Sequence, residues 1–96
     1  MATAYEVTYI IRPHLEETEV DERAAQIAEA LKASGAEVGE IEKLGKRRLA
    51  YEIDDLREGH YVVMKFTSNA AQAKELERQL RLNELVLREL LIKLDD

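Results

Sequence analysis

From Lys43 to Arg48 the chain carries Lys43, Lys46, Arg47 and Arg48 with no acidic residue among them, in a sequence of net charge −6. By segment the charge is 0 over residues 1–15, −7 over 16–42, +4 over 43–48, −2 over 49–69 and −1 over 70–96. Positive charge is thus concentrated at one point, just ahead of the strand-like alternation Leu49, Tyr51, Ile53. Such a spot on an acidic body suits local contact with phosphates or acidic side chains and does not suit coating of nucleic acid. The plainer reading of an isolated basic run is a solvated turn.

Other reactive chemistry is sparse. His14 and His60 stand apart with no carboxylate at metal-ligand spacing, so each reads as a surface or packing residue and no metal site is expected. Gly35, Gly39, Gly45 and Gly59 are dispersed as caps and turns and form no phosphate-cradling pattern. Glu16-Glu17 and Asp54-Asp55 lie in polar stretches where full hydration is expected, and nothing suggests a tuned acid–base pair. Without cysteine there is neither disulfide nor thiolate chemistry. An enzyme is not expected, nor a cofactor or small-molecule substrate.

The elements that would hold the basic run follow from periodicity. Tyr5, Val7, Tyr9 and Ile11 alternate with Glu6, Thr8 and Ile10 as a strand that Pro13 ends. Thr18 with Asp21 resembles a capping box, and Val20, Ala24, Ile27, Ala28 and Leu31 recur at helical spacing up to Gly35, a left-handed cap. Residues 37–53 read as one long strand with a bulge near Gly45 that turns Leu49, Tyr51 and Ile53 toward the core. Asp54 to Gly59 reads as a polar loop, and His60 to Phe66 as the third strand. Ser68 or Asn69 caps a second helix with the stripe Ala73, Leu76, Leu80, and residues 85–94 form a last strand whose faces the pattern leaves unassigned.

This order, β-α-β-β-α-β, predicts a ferredoxin-like α+β sandwich, with a four-stranded antiparallel sheet and both helices on one side. Ninety-six residues suit one domain, 1–96. Val7, Ile27, Leu49, Val62 and Leu76 are expected to meet in one core. The helix-free face offers Glu6, Thr8, Ile10, Tyr61, Val63 and Lys65, too apolar a mixture for a purely solvated surface; Ile10, Tyr61 and Val63 are the candidates for a partner. No apolar run approaches the ~20 residues of a membrane span, and the N-terminus lacks a signal-peptide pattern, so a cytoplasmic location is expected.

Several stretches resemble one known family, the bacterial small-subunit ribosomal protein six. They are Tyr5-Glu6-Val7 opening the first strand, Pro13 after it, Gly35-Ala36 before the second, Leu44-Gly45-Lys46-Arg47-Arg48-Leu49-Ala50-Tyr51 in the middle, and Leu80-Arg81-Leu82-Asn83-Glu84-Leu85-Val86-Leu87-Arg88 near the end. The Gly-x-Arg-Arg-Leu-Ala-Tyr core is specific; the other pieces gain weight from their order and spacing. The resemblance implies a structural, ribosome-bound role in translation and subunit assembly. It implies binding to the central domain of the small-subunit (16S) ribosomal RNA with a small basic partner, ribosomal protein eighteen of that subunit. It makes Lys46, Arg47 and Arg48 the candidates for RNA or partner contact; on a strand Arg47 and Arg48 would point to opposite faces and need not share a role. Some members of the family have a longer acidic tail; with this sequence closing at Asp95-Asp96, no role for such a tail is expected.

Three other readings compete on the same topology. A regulatory module that oligomerises through its open sheet and binds a small effector rests on fold alone. Acylphosphatases need an arginine in a glycine-rich loop that is missing here. RNA-recognition domains need aromatics on the third strand, where only Tyr61 could stack a base.

Overall fold

The computed structural model describes residues 2–94. Asp95 and Asp96, the acidic close of the sequence, lie outside the described residues. The elements are β1 (Thr3–Ile11), α1 (Glu17–Ala33), β2 (Glu37–Ile53), β3 (Leu56–Ser68), α2 (Ala70–Leu82) and β4 (Val86–Lys93). The strands form one sheet in the order β2-β3-β1-β4, with every neighbouring pair antiparallel. The expected ferredoxin-like sandwich is therefore present.

Local chemistry sets the helix ends. At α1 the Glu19 carboxylate accepts the Glu16 backbone N–H at 3.0 Å, closing a capping box two residues before the expected Thr18–Asp21 pair. Thr18 already lies inside the first turn, where its backbone is helical. The far end is a Schellman close: Gly35, at φ +102°, donates to the Lys32 carbonyl and Ala36 to that of Leu31. At α2, Asn69 rather than Ser68 is the cap; its Oδ1 accepts from the Gln72 N–H at 2.8 Å while Gln72 Oε1 accepts the Asn69 N–H. Gln72 also donates to the Ser34 carbonyl at 2.6 Å, joining the end of α1 to the start of α2.

Tyr5, Val7, Tyr9 and Ile11 of β1 and Val62, Met64 and Phe66 of β3 face Val20, Ala24, Ala28 and Leu31 of α1 and Ala73, Leu76 and Leu80 of α2. Tyr5 and Phe66, paired across the strands, stack at 5.4 Å between ring centres. Val7, Val62 and Leu76 join this core as expected and Ile27 packs against it half-buried, but Leu49 is not a member.

Two expectations about the β2–β3 hairpin are corrected. Asp54–Gly59 is not a loop: Asp54 and Asp55, at φ 51° and 64°, alone form the turn between Ile53 and Leu56, and β3 starts there. Aspartate tolerates this left-handed conformation, and a turn with both central φ positive matches the twist of the flanking strands. Leu49, Tyr51 and Ile53 do not face the core either; Leu49 and Ile53 are half-buried and Tyr51 is 59% exposed. The irregularity at Gly45 is real, with φ +84° and a register shift between Lys43 and Gly45. It cannot bury these residues because no helix lies beneath them. A helix rises ~1.5 Å per residue and a strand ~3.3 Å, so the seventeen residues of β2 outrun the seventeen of α1.

Candidate nucleic-acid interface

The basic run sits on β2 where the hairpin leaves the sheet. Lys46 pairs with His60, Arg47 with Gly59 and Arg48 with Glu58. Residues opposite one another in an antiparallel pair share a face, so Lys46 and Arg48 lie on the helix side and Arg47 on the open side. All three are exposed. Lys43, the remaining cation of the run, is tied to Asp21 of α1 at 3.0 Å. Arg47 Nε donates to the Leu44 carbonyl at 3.2 Å, while Lys46, Arg47 and Arg48 make no ion pair among the described residues. The cluster therefore offers cationic N–H donors to a phosphate or carboxylate from both faces of one edge strand.

The open face is as expected in identity and differs in depth. Ile10 pairs with Tyr61 and Thr8 with Val63, all on the helix-free side. Tyr61 and Val63 are half-buried, but Ile10 is only 9% exposed. Gly59 explains this, because a Cβ there would lie 2.5 Å from Ile10 Cγ2; Ile10 fills the space a side chain would have taken. Pairing with β1 puts Arg88, Leu90 and Ile92 of β4 on the same face, and Leu90 and Ile92 are 58% and 42% exposed. Sequence reasoning missed these three. Their spacing of two was a signal, but the strand is apolar on both sides and pairing alone decides which set faces outward.

Tyr51 and Arg88 were likewise not foreseen together. The Arg88 guanidinium lies over the Tyr51 ring, 5.3 Å from its centre. Beside the ring a niche of about 180 Å³ is lined by Arg48, Leu49, Glu52 and Arg57.

The titratable groups elsewhere show no catalytic arrangement among the described residues. His60 is buried and its Nε2 donates to the Leu15 carbonyl at 3.0 Å, a packing role; His14 is exposed. Burial pushes the Tyr9 hydroxyl well above its ordinary range, and that hydroxyl has no partner among the described residues. A concavity of about 260 Å³ between the helices is lined by Ser34, glutamines, Asn83 and apolar side chains, with Glu75 its one carboxylate. Glu75 is held down to about 2 by hydrogen bonds from Arg78 and Gln79, and a carboxyl held that low is a poor general base near neutral pH. No helix of the described residues is long and apolar enough to cross a membrane.

Residues 4–93 match the family model described as Ribosomal protein S6. The chain belongs to the ribosomal protein S6 family. Small ribosomal subunit protein bS6 of Natranaerobius thermophilus is 44% identical over 93 residues, 97% of this chain and 97% of the relative. That of Carboxydothermus hydrogenoformans is 42% identical over 95 residues, 99% of each chain. The crystal structure of 30S ribosomal protein S6 from Thermotoga maritima superposes with a TM-score of 0.90 at 25% identity, covering 98% of this chain and 89% of that one. Membership of the S6 family makes the chain a structural, non-enzymatic constituent of the small subunit of the cytoplasmic ribosome.

Proposed function

We propose that this chain binds the central domain of the small-subunit (16S) ribosomal RNA together with a small basic partner, ribosomal protein eighteen of the same subunit. Lys46, Arg47 and Arg48 contact phosphates of the RNA or acidic groups of the partner. The open sheet face around Tyr61, Val63 and the rim of Ile10 receives the partner. The observation that carries this reading is an exposed cationic stretch on an otherwise acidic chain, at the border of a partly apolar sheet face that no helix covers.

Charge explains why a partner is needed. A chain of net −6 is repelled by RNA at long range, so unaided binding depends on a few short contacts. A basic partner supplies counter-charge and lets those contacts form. The alternative of an oligomeric regulatory module has only the partly apolar face in its favour.

The test is the affinity of a central-domain RNA fragment for the chain with and without the partner. The isolated chain should bind weakly and the partner should raise its affinity; equal affinities would overturn the cooperative picture. Changing Lys46, Arg47 and Arg48 together to alanine should weaken binding and lower the salt slope by roughly two to three. The melting temperature should barely move, because exposed charges are worth about 0–1 kcal/mol to folding. An unchanged slope would return the cluster to a solvated surface.

A further inference from the structure

The β2–β3 hairpin carries an aromatic ring that neither the core nor the cationic run accounts for. Tyr51 is 59% exposed on an arm beyond the helices. Exposure of one aromatic ring is ordinary; a guanidinium held over that ring is what sets Tyr51 apart. The surroundings of Tyr51 supply both a fixed position and a binding chemistry.

Three contacts fix the arm. The Arg88 guanidinium, from the opposite edge of the sheet, lies over the ring at 5.3 Å from its centre. Asp54 at the tip pairs with Arg12 at 3.0 Å, and Arg12 Nε also donates to the Glu84 carbonyl at 2.7 Å. The Tyr61 hydroxyl reaches the Arg48 carbonyl at 3.5 Å. For Tyr51 on β2 to meet Arg88 on β4, the hairpin must curl across the ends of β3 and β1, as the strong twist of a two-stranded ribbon permits. The ring is therefore pre-positioned rather than free to rotate in solvent.

The chemistry around it is that of a base-stacking platform. Arg48, Arg57 and Leu49 border the niche beside the ring; Arg57 is neutralised by Glu52 at 2.9 Å, whereas Arg48 has no ion pair among the described residues. A tyrosine face backed by one guanidinium, with a second cation at its rim, suits a planar ring that carries a phosphate. Unpaired nucleotides have both parts, and proteins read single-stranded RNA by stacking exposed bases on aromatic rings and guanidinium planes.

We infer that Tyr51, backed by Arg88 and flanked by Arg48, stacks one unpaired nucleobase of an RNA ligand. The inference rests on the proposed RNA binding and assigns a base contact where that reading assigned only charge contacts. Stacking is largely insensitive to salt, so the two kinds of contact separate experimentally.

Tyr51→Leu and Tyr51→Phe are compared with the native chain, in the presence of the partner, for binding to the central-domain RNA fragment. A single-stranded hexanucleotide containing 2-aminopurine reports stacking directly. Tyr51→Leu should lower affinity roughly tenfold to a hundredfold with no change in salt slope, and Tyr51→Phe should retain it. The 2-aminopurine fluorescence should be quenched by the native chain and by Tyr51→Phe but not by Tyr51→Leu. Thermal melting of Tyr51→Leu separates lost stacking from lost fold, and the quenching by Tyr51→Phe stands independently of it. RNA affinity unchanged in Tyr51→Leu would overturn the platform while leaving RNA binding intact. Loss of partner affinity in Tyr51→Leu, with no effect on the hexanucleotide, would overturn it too and assign the ring to the partner. Absence of RNA binding by the native chain would overturn both readings together.

Discussion

Glu75 and Arg78 show what one well-formed surface pair does and does not do. Arg78 donates to both carboxylate oxygens of Glu75, at 3.0 and 2.8 Å, and Gln79 adds a third hydrogen bond at 2.8 Å. These bonds favour the ionised form and hold the carboxyl down to about 2, from an ordinary value of 4.5. A folded value below the unfolded one means that the pair's stabilisation is present above pH 4.5 and is lost as pH falls from there toward 2. Both side chains are more than half exposed, and solvent screening keeps that stabilisation small. The Glu75 carboxyl carbon, followed by NMR, should titrate well below its ordinary value of 4.5, and Arg78→Ala should return it most of the way there. A midpoint that ignored Arg78→Ala would break the assignment. Lys46, Arg47 and Arg48 are the contrasting case: with no ion pair among the described residues, their charge remains available to a ligand.

At the scale of elements, the mismatch between helix rise and strand rise divides β2 into a covered part and a bare arm. Leu76 belongs to the covered region at 7% exposure, in contact with the core beneath α2. Leu49 lies on the arm, half-buried and outside that core. Leu76→Ala should therefore lower stability by about 2–5 kcal/mol, the usual range for a buried leucine, a large share of the ~5–15 kcal/mol available to a small fold. Leu49→Ala should lower it clearly less, and denaturant midpoints with a common slope measure the difference. Equal shifts would mean that the arm is covered after all. Glu19 follows the same logic at a helix end: its side chain points outward, yet it closes the α1 capping box and is not a neutral position.

Across the whole molecule, the helices cover one side of the sheet and leave the other with Tyr61, Val63, Leu90 and Ile92 among Glu6, Lys65 and Arg88. Leu90 is 58% exposed on an edge strand, so Leu90→Asp should change the stability of the free chain by less than about 0.5 kcal/mol. Under the proposed partner the same aspartate would be a desolvated charge in an apolar contact, and affinity for the partner should fall at least tenfold, about 1.4 kcal/mol. Titration calorimetry on the two proteins decides the matter. Unimpaired binding would move the partner surface away from β4.

Element order, the buried stripes of both helices, the inward face of β1 and β3 and the place of the cationic run could all be read from the residue pattern. Each of these depends on local periodicity, a cap or a charge count, which neighbouring residues settle among themselves. The residues of the ribosomal protein S6 resemblance were legible for the same reason, because Gly45 to Tyr51 is a continuous segment. Tertiary structure alone decided the rest. The face of Arg88, Leu90 and Ile92 depends on the register of β4 against β1, and a one-residue slip would have reversed it. The depth of Ile10 depends on Gly59 from another strand, and the use of Tyr51 on an arginine from the far edge of the sheet. Contacts between segments distant in sequence are set by packing and twist, which no local pattern encodes.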